Sequence, residues 1–151
     1  MKLEEAIKTD RFESETHKAT LNIMYTAYWL KTHVSGVLKE YGITTEQFNV
    51  LRILKGKHPE QMCVKEIGSR MIEKSSNVPR IVDRLVEKKL VKRTASKEDK
   101  RETIISLTEK GLSLLLAISN LVERVTREIS GIDESDAKKL NELLEKLRKK
   151  D

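Results

Sequence analysis

The residue types best suited to chemistry gather around one short stretch. Ser75, Ser76 and Asn77 precede Val78-Pro79-Arg80-Ile81-Val82-Asp83-Arg84-Leu85-Val86-Glu87. Val78, Ile81, Val82, Leu85 and Val86 recur at the spacing of one helix face. At about 100° per residue, Ser76, Arg80, Asp83, Arg84 and Glu87 fall on the opposite face. Arginine there suits a guanine O6/N7 edge or a phosphate oxygen, asparagine suits adenine, and serine suits either phosphate or base. The first amides of such a helix would also donate to a phosphate oxygen. The same residues fit a second reading, a solvated helix face on which Asp83 and Glu87 pair with Arg80 and Arg84.

A second basic cluster follows. Leu90 to Thr94 reads as a strand, and Thr103, Ile105 and Leu107 alternate as a returning strand does. Between them lies Ser96-Lys97-Glu98-Asp99-Lys100-Arg101, so the hairpin carries a long basic tip. A narrow tip with a few cations fits a minor groove, whose potential is negative where it is narrow. Lys97, Lys100 and Arg101 are the candidate contacts, and Asp99 can orient Arg101 through a bidentate pair. An ordinary exposed loop is the competing reading, stronger for Lys97 and Glu98 than for Asp99 and Arg101.

Composition narrows the partners. The 151 residues carry a formal net charge of +6, with 36% charged and 4% aromatic residues. That balance favours a polyanion, either nucleic acid or an anionic membrane surface. The pattern lacks a basic amphipathic helix with exposed apolar residues, so no membrane partner is expected. The single cysteine, Cys63, excludes an internal disulfide, fits a reducing compartment and, between Met62 and Val64, reads as a buried, inert thiol. No apolar run has transmembrane length, and the first ten residues lack a signal peptide's apolar stretch, which points to the cytoplasm. His17, His33 and His58 lack metal-ligand spacing, so no metal is expected. With no phosphate loop, paired-histidine motif or nucleophile triad, neither an enzyme nor a cofactor is expected.

The elements that must hold these clusters are mostly helical. Residues 1–16 are polar, weakly patterned and expected to fray. From Thr16, a stripe of Ile23, Ala27, Leu30, Val34, Val37 and Tyr41 marks a long helix, widened by Leu21, Met24 and Tyr28. Gly42 suits its C-terminus, and Thr44 with Gln47 forms a capping box for the next helix, which Gly56 and His58-Pro59 end. Met62-Cys63-Val64 suggests a very short strand, and Val64, Ile67 and Met71 a short helix. After the helix from Asn77 to about Lys88 and the hairpin, Thr108 caps a helix striped by Leu115, Ile118, Val122, Val125 and Ile129. Asp133 opens a last helix with Leu140, Leu143, Leu144 and Leu147 on one side. Short helix, tight turn, helix and hairpin is a winged helix-turn-helix plan. The fold class is therefore mainly α with a small β-wing, with N- and C-terminal dimerisation helices attached. One domain is expected over 1–151, with 44–107 as the winged helix-turn-helix part and 1–41 and 108–151 as the helical part. The stripes on the terminal helices exceed what a small winged unit can cover, so they are expected to serve both the core and a dimer.

Specific stretches resemble the MarR family of transcription regulators. They are Gly42-Ile43-Thr44-Thr45-Glu46-Gln47-Phe48-Asn49-Val50-Leu51, Ser75 to Leu85, and the wing Arg93 to Arg101 followed by Leu107-Thr108-Glu109-Lys110-Gly111. The Asp-x-Arg wing leading to Leu-Thr-x-x-Gly is the most specific part. The similarity spans about Ile23 to Ile129. It implies an obligate homodimer on palindromic double-stranded DNA, one recognition helix per subunit in a major groove, and Arg101 in the minor groove with Asp99 orienting it. It also implies repression, and release by a small anionic or phenolic ligand bound between dimer helices and winged domain. Tyr25, Tyr28, Trp29 and His33 are the candidates for that crevice, although aromatics at helical spacing more often read as core. Cys63 does not match the first-helix cysteine of the family's hydroperoxide sensors. In two places the chain departs from the family pattern. Lys89 follows the recognition helix where Gly is frequent, at a cost of about 1 kcal/mol if the left-handed turn is kept. Pro79 replaces a frequent Ser or Thr and so removes a hydroxyl from the helix start.

Overall fold

The computed structural model describes residues 1–74, 76–96 and 102–148. In chain order they form α1 (Leu3–Ile7), α2 (Glu15–Glu40), α3 (Thr45–Lys57), β1 (Met62–Cys63), α4 (Val64–Arg70) and α5 (Val78–Glu87). Then come β2 (Val91–Ala95), β3 (Thr103–Leu107), α6 (Glu109–Ile129) and α7 (Glu134–Leu147). The sheet has the order β1-β3-β2 and both pairings are antiparallel, with Met62 opposite Ile105 and Val91 opposite Leu107. The fold is the mainly helical, winged plan expected from the sequence.

Caps set most of the boundaries. Thr44 Oγ1 accepts the Gln47 amide at 3.1 Å, while Gln47 Oε1 accepts the Thr44 amide at 3.3 Å. Thr108 and Asp133 likewise accept the amides of Gly111 and Asp136. Two helices end alike. At α2, Gly42 takes φ 64° and the amides of Gly42 and Ile43 return to the carbonyls of Lys39 and Leu38. At α5, Lys89 takes φ 60° and the amides of Lys89 and Leu90 return to Val86 and Leu85. Both are Schellman endings, each closed by a buried pair, Leu38 with Ile43 and Leu85 with Leu90. The left-handed turn is thus kept at Lys89 despite its side chain. Because that turn uses Leu90, β2 starts at Val91, one residue later than expected.

Gly111 explains the Leu-Thr-x-x-Gly motif. A Cβ there would stand 2.0 Å from the Leu90 carbonyl oxygen, so only glycine lets α6 sit against the end of the α5 turn. Thr108 secures the same junction, its hydroxyl donating toward the carbonyls of Lys89 (2.8 Å) and Leu90 (3.1 Å). The core runs from Leu38 through Val50, Leu51, Leu54, Met62, Ile67, Val82, Leu85 and Ile105 to Leu115 and Ile118.

Several sequence expectations need correction. The start is not merely frayed coil: α1 forms and Leu3 is buried. The long helix begins at Glu15, capped by Ser14. Gly56 lies inside α3, which continues to Lys57. Cys63 is half-buried, not buried, because strand alternation gives the inner position to Met62. The terminal helices differ in what they bury within one chain: α6 sets Leu115 and Ile118 into the core as expected. In α2 only Leu38 is buried, α7 has no buried residue, and Leu143 is 64% exposed.

Candidate nucleic-acid interface

The α5 helix is held by its apolar face, with Val78, Val82 and Leu85 buried. Its polar face points out: Asn77, Arg80, Asp83, Arg84 and Glu87 are all exposed. Asn77 Oδ1 accepts the Arg80 amide at 3.3 Å, so this oxygen caps the helix and is not free to read an adenine. Pro79 sits in the first turn, where no intrahelical donor is needed. Ser76 is half-buried beside the cap. The helix start opens on a concavity of about 450 Å³ whose lining includes Glu46, Glu73, Ser76, Asn77, Arg80 and Arg84.

The charged residues of α5 do not share one role. Arg84 Nη1 pairs with Glu87 Oε2 at 2.9 Å on the surface, as the solvated-face reading expected. That pair and Asp83 keep the guanidinium charged, Glu87 being the larger cause. Asp83 turns elsewhere, its Oδ1 lying 2.5 Å from Arg93 Nη2 on β2, which ties the helix to the hairpin. Arg80 has no ion pair among the described residues, which leaves its guanidinium the freest cation of this face.

The hairpin pairs from Val91↔Leu107 to Ala95↔Thr103, and the Ser96 amide reaches the Glu102 carbonyl at 2.9 Å. Lys97, Asp99, Lys100 and Arg101, like Ser75, lie outside the described residues. The Asp83–Arg93 pair joins α5 to β2, and sequence reading missed it because it links side chains of separate elements.

Other links brace the reading unit. The Lys88 ammonium donates to the Gly42 carbonyl and to Gln47 Oε1 (2.9 Å), connecting the end of α5 to the start of α3. Asn49 Oδ1 accepts the Ile72 amide at 3.0 Å, which holds the turn before α5. Lys31 on α2 contacts Glu46 and Glu73.

The candidate ligand residues lie along α2. Trp29 and His33 meet with ring centroids 4.6 Å apart, and His33 Nδ1 lies 2.8 Å from the Trp29 carbonyl oxygen. Tyr25 is half-buried and Tyr28 is 70% exposed. None of the four lines the α5 concavity or a second cavity, of about 540 Å³, between α3, α6 and the start of α7. That second cavity is lined by Phe48, Arg52, Val122, Arg127 and Ile132, among others. Among the described residues, no group of His, Cys, Asp or Glu is arranged to hold a metal, and no helix is long and apolar enough to cross a membrane.

A polar helix fixed at a tight turn and tied to a β-hairpin defines a winged helix-turn-helix protein. The comparisons carry the identification further. The family model "Transcriptional regulator SarA/Rot" matches residues 32–118. The HTH-type transcriptional regulator MgrA of Staphylococcus aureus is 32% identical over 111 residues, 74% of each chain. A MarR transcription factor from Planctomyces limnophilus superposes with a TM-score of 0.69 at 30% identity, covering 91% of this chain and 98% of that one. The S. aureus MepR–DNA complex gives a TM-score of 0.77 at 20% identity, covering 87% and 96%. The chain belongs to the SarA/Rot group of MarR-type winged-helix transcriptional regulators, a family of regulators and not of enzymes.

Proposed function

We propose that this regulator binds double-stranded DNA sequence-specifically as a homodimer, on a palindromic operator, and represses transcription in the cytoplasm. The observation that carries this reading is the polar face of α5. It is exposed along its length, its N-terminus opens on a concavity, and Arg80 is left without an ion pair among the described residues. In this reading Arg80 and Arg84 contact base edges or phosphates, and Arg84 exchanges its surface pair with Glu87 for the nucleic acid. Ser75, Ser76 and Asn77 bring the helix N-terminus to the backbone, with Asn77 acting mainly as the cap. Lys97, Lys100 and Arg101, with Asp99 orienting Arg101, carry the wing into the adjacent minor groove. MepR, a neighbour in fold, was solved with DNA.

The dimer would use 1–41 and 108–151, leaving 44–107 as the winged part. Bare leucines on α7 and exposed Met24, Tyr28 and Leu116 support this division. A small anionic or phenolic effector that releases DNA completes the proposal. The cavity between α3 and α6 has the volume of a small-molecule site; its lining sets Phe48, Arg52 and Arg127, the last paired with Glu123, against Asp133 and Glu134, so an effector there would need a phenolic ring or a polar group more than a bare anion. Tyr25, Tyr28, Trp29 and His33 join such a crevice only where a partner's helices complete it.

The test is a salt titration of binding to a duplex from the chain's own locus. Wild type is expected to show a steep dependence of affinity on salt. Arg101→Ala should lower that slope by about 1, and Arg80→Ala should cost about 1–3 kcal/mol and relax sequence preference. Absence of duplex binding at low salt would overturn the reading.

A further inference from the structure

The concavity at the head of α5 contains two carboxylates, Glu46 and Glu73, beside Arg80 and Arg84. If this surface meets DNA, negative charge here opposes the phosphates and cancels part of what the arginines contribute. The counter-charge comes from outside the reading unit. Lys31 lies on the long helix α2, and its ammonium stands 2.6 Å from Glu73 Oε1 and 3.3 Å from Glu46 Oε1. One cation therefore bridges the first turn of α3 and the turn that leads into α5.

All three groups are partly exposed, with side-chain accessibilities of 47% for Lys31, 31% for Glu46 and 49% for Glu73. Exposed pairs of this kind contribute little to stability. Their effect on the local field is a different matter, since a nearby phosphate feels the net charge of the trio. The Glu73 carboxylate is the main influence holding Lys31 charged beyond its ordinary range, with Glu46 adding to it against a burial cost. Burial pushes the Glu46 carboxyl upward, but its first-turn amide, the Thr44 and Thr45 hydroxyls and Lys31 together hold it below the usual range. The trio is thus two anions and one cation.

We infer that Lys31 is part of the DNA-binding surface as a charge-balancing residue: from α2 it masks Glu46 and Glu73 beside the α5 arginines. It touches no base. The inference rests on the DNA-binding reading above and adds a residue that neither the recognition helix nor the wing contains. It also sets a coupling, because any motion of α2 that withdraws Lys31 exposes two carboxylates at the reading surface.

The experiment measures binding to a mixed-sequence duplex of about 30 bp across a range of salt. It compares wild type, Lys31→Gln, and Lys31→Gln combined with Glu46→Gln and Glu73→Gln. Lys31→Gln is expected to weaken binding about 3- to 10-fold at low salt, with the loss shrinking as salt screens it. Removing both carboxylates in that background takes the trio from a net charge of about −2 to 0, one unit above wild type, and should restore affinity to the wild-type level or tighter. A purely structural tie predicts the opposite, because the triple variant still lacks the bridge. The inference is overturned if Lys31→Gln binds as wild type, or if the triple variant stays as weak as Lys31→Gln. A wild-type chain that binds no duplex at low salt overturns the DNA reading itself, and this is seen before any variant is compared.

Discussion

The reading unit and the terminal helices bury their apolar residues in different ways. Between Ile43 and Leu107 nearly every large aliphatic that the helical and strand periods place inward is covered by the same chain, and Leu51, Ile67, Leu85 and Ile105 are fully buried. In α7 the same kind of stripe is bare: Leu140, Leu143 and Leu147 are 45%, 64% and 53% exposed. Leu116 on α6 and Met24 and Tyr28 on α2 are also exposed. The first region closes its core with Leu38 of α2 and Leu115 and Ile118 of α6 packed into it, whereas α7 has a helical period with no buried residue. An amphipathic helix in water without a partner face is marginal, so its pattern is informative about assembly. Two copies of one chain supply such a partner face most simply.

Substitutions can break or sharpen this contrast. The largest effect is expected from Gly111→Val, which forces a Cβ onto the Leu90 carbonyl oxygen. Unfolding monitored by circular dichroism should show a loss of about 4 kcal/mol or more. Next, Leu51→Ala opens a cavity inside the reading unit and should cost about 2–5 kcal/mol. The matching change in the other region, Leu143→Ala, should move the stability of diluted, dissociated chains by no more than about 0.5 kcal/mol. Charge is the sharper probe there. Leu143→Asp with Leu147→Asp should weaken self-association about 100-fold in sedimentation velocity while the helical signal of the reading unit persists. A smaller effect is expected at the two left-handed turns: Lys89→Gly should gain about 1 kcal/mol and Gly42→Ala should lose about as much. The smallest concerns Ser106, whose buried hydroxyl has no hydrogen-bond partner among the described residues. Ser106→Ala should be neutral or raise stability by about 0.5 kcal/mol.

What could be read from the sequence follows from the range of the forces involved. Local signals were legible: the Thr44–Gln47 capping box, the caps at Thr108 and Asp133, and the stripe of α5 all occur within a turn or two of chain. The left-handed turn at Lys89 was visible as a departure from a family pattern, and its geometry confirms the turn. Long-range polar pairs were not legible. Lys31 meets Glu73 across 42 positions, and Arg93 meets Asp83 from a different element, with no periodicity to announce either. The polar face of α5 was placed correctly, but the division of labour along it needed coordinates, since Arg80 and Arg84 share a type and differ in their partners among the described residues. Burial near termini was also hidden: Leu3 is one apolar residue in a polar stretch, yet it is covered. The aromatic residues of α2 line neither of the two cavities described: Trp29 packs on His33 and Tyr28 is exposed.

The most direct test of the central claim is a chemical footprint on duplex DNA from the chain's own locus. Two symmetric protected stretches, centred about one helical turn apart, are expected, and Arg80→Ala should erase both at a protein concentration where wild type protects fully. A single unsymmetrical patch, or protection that survives Arg80→Ala unchanged, would contradict a paired reading surface built on α5.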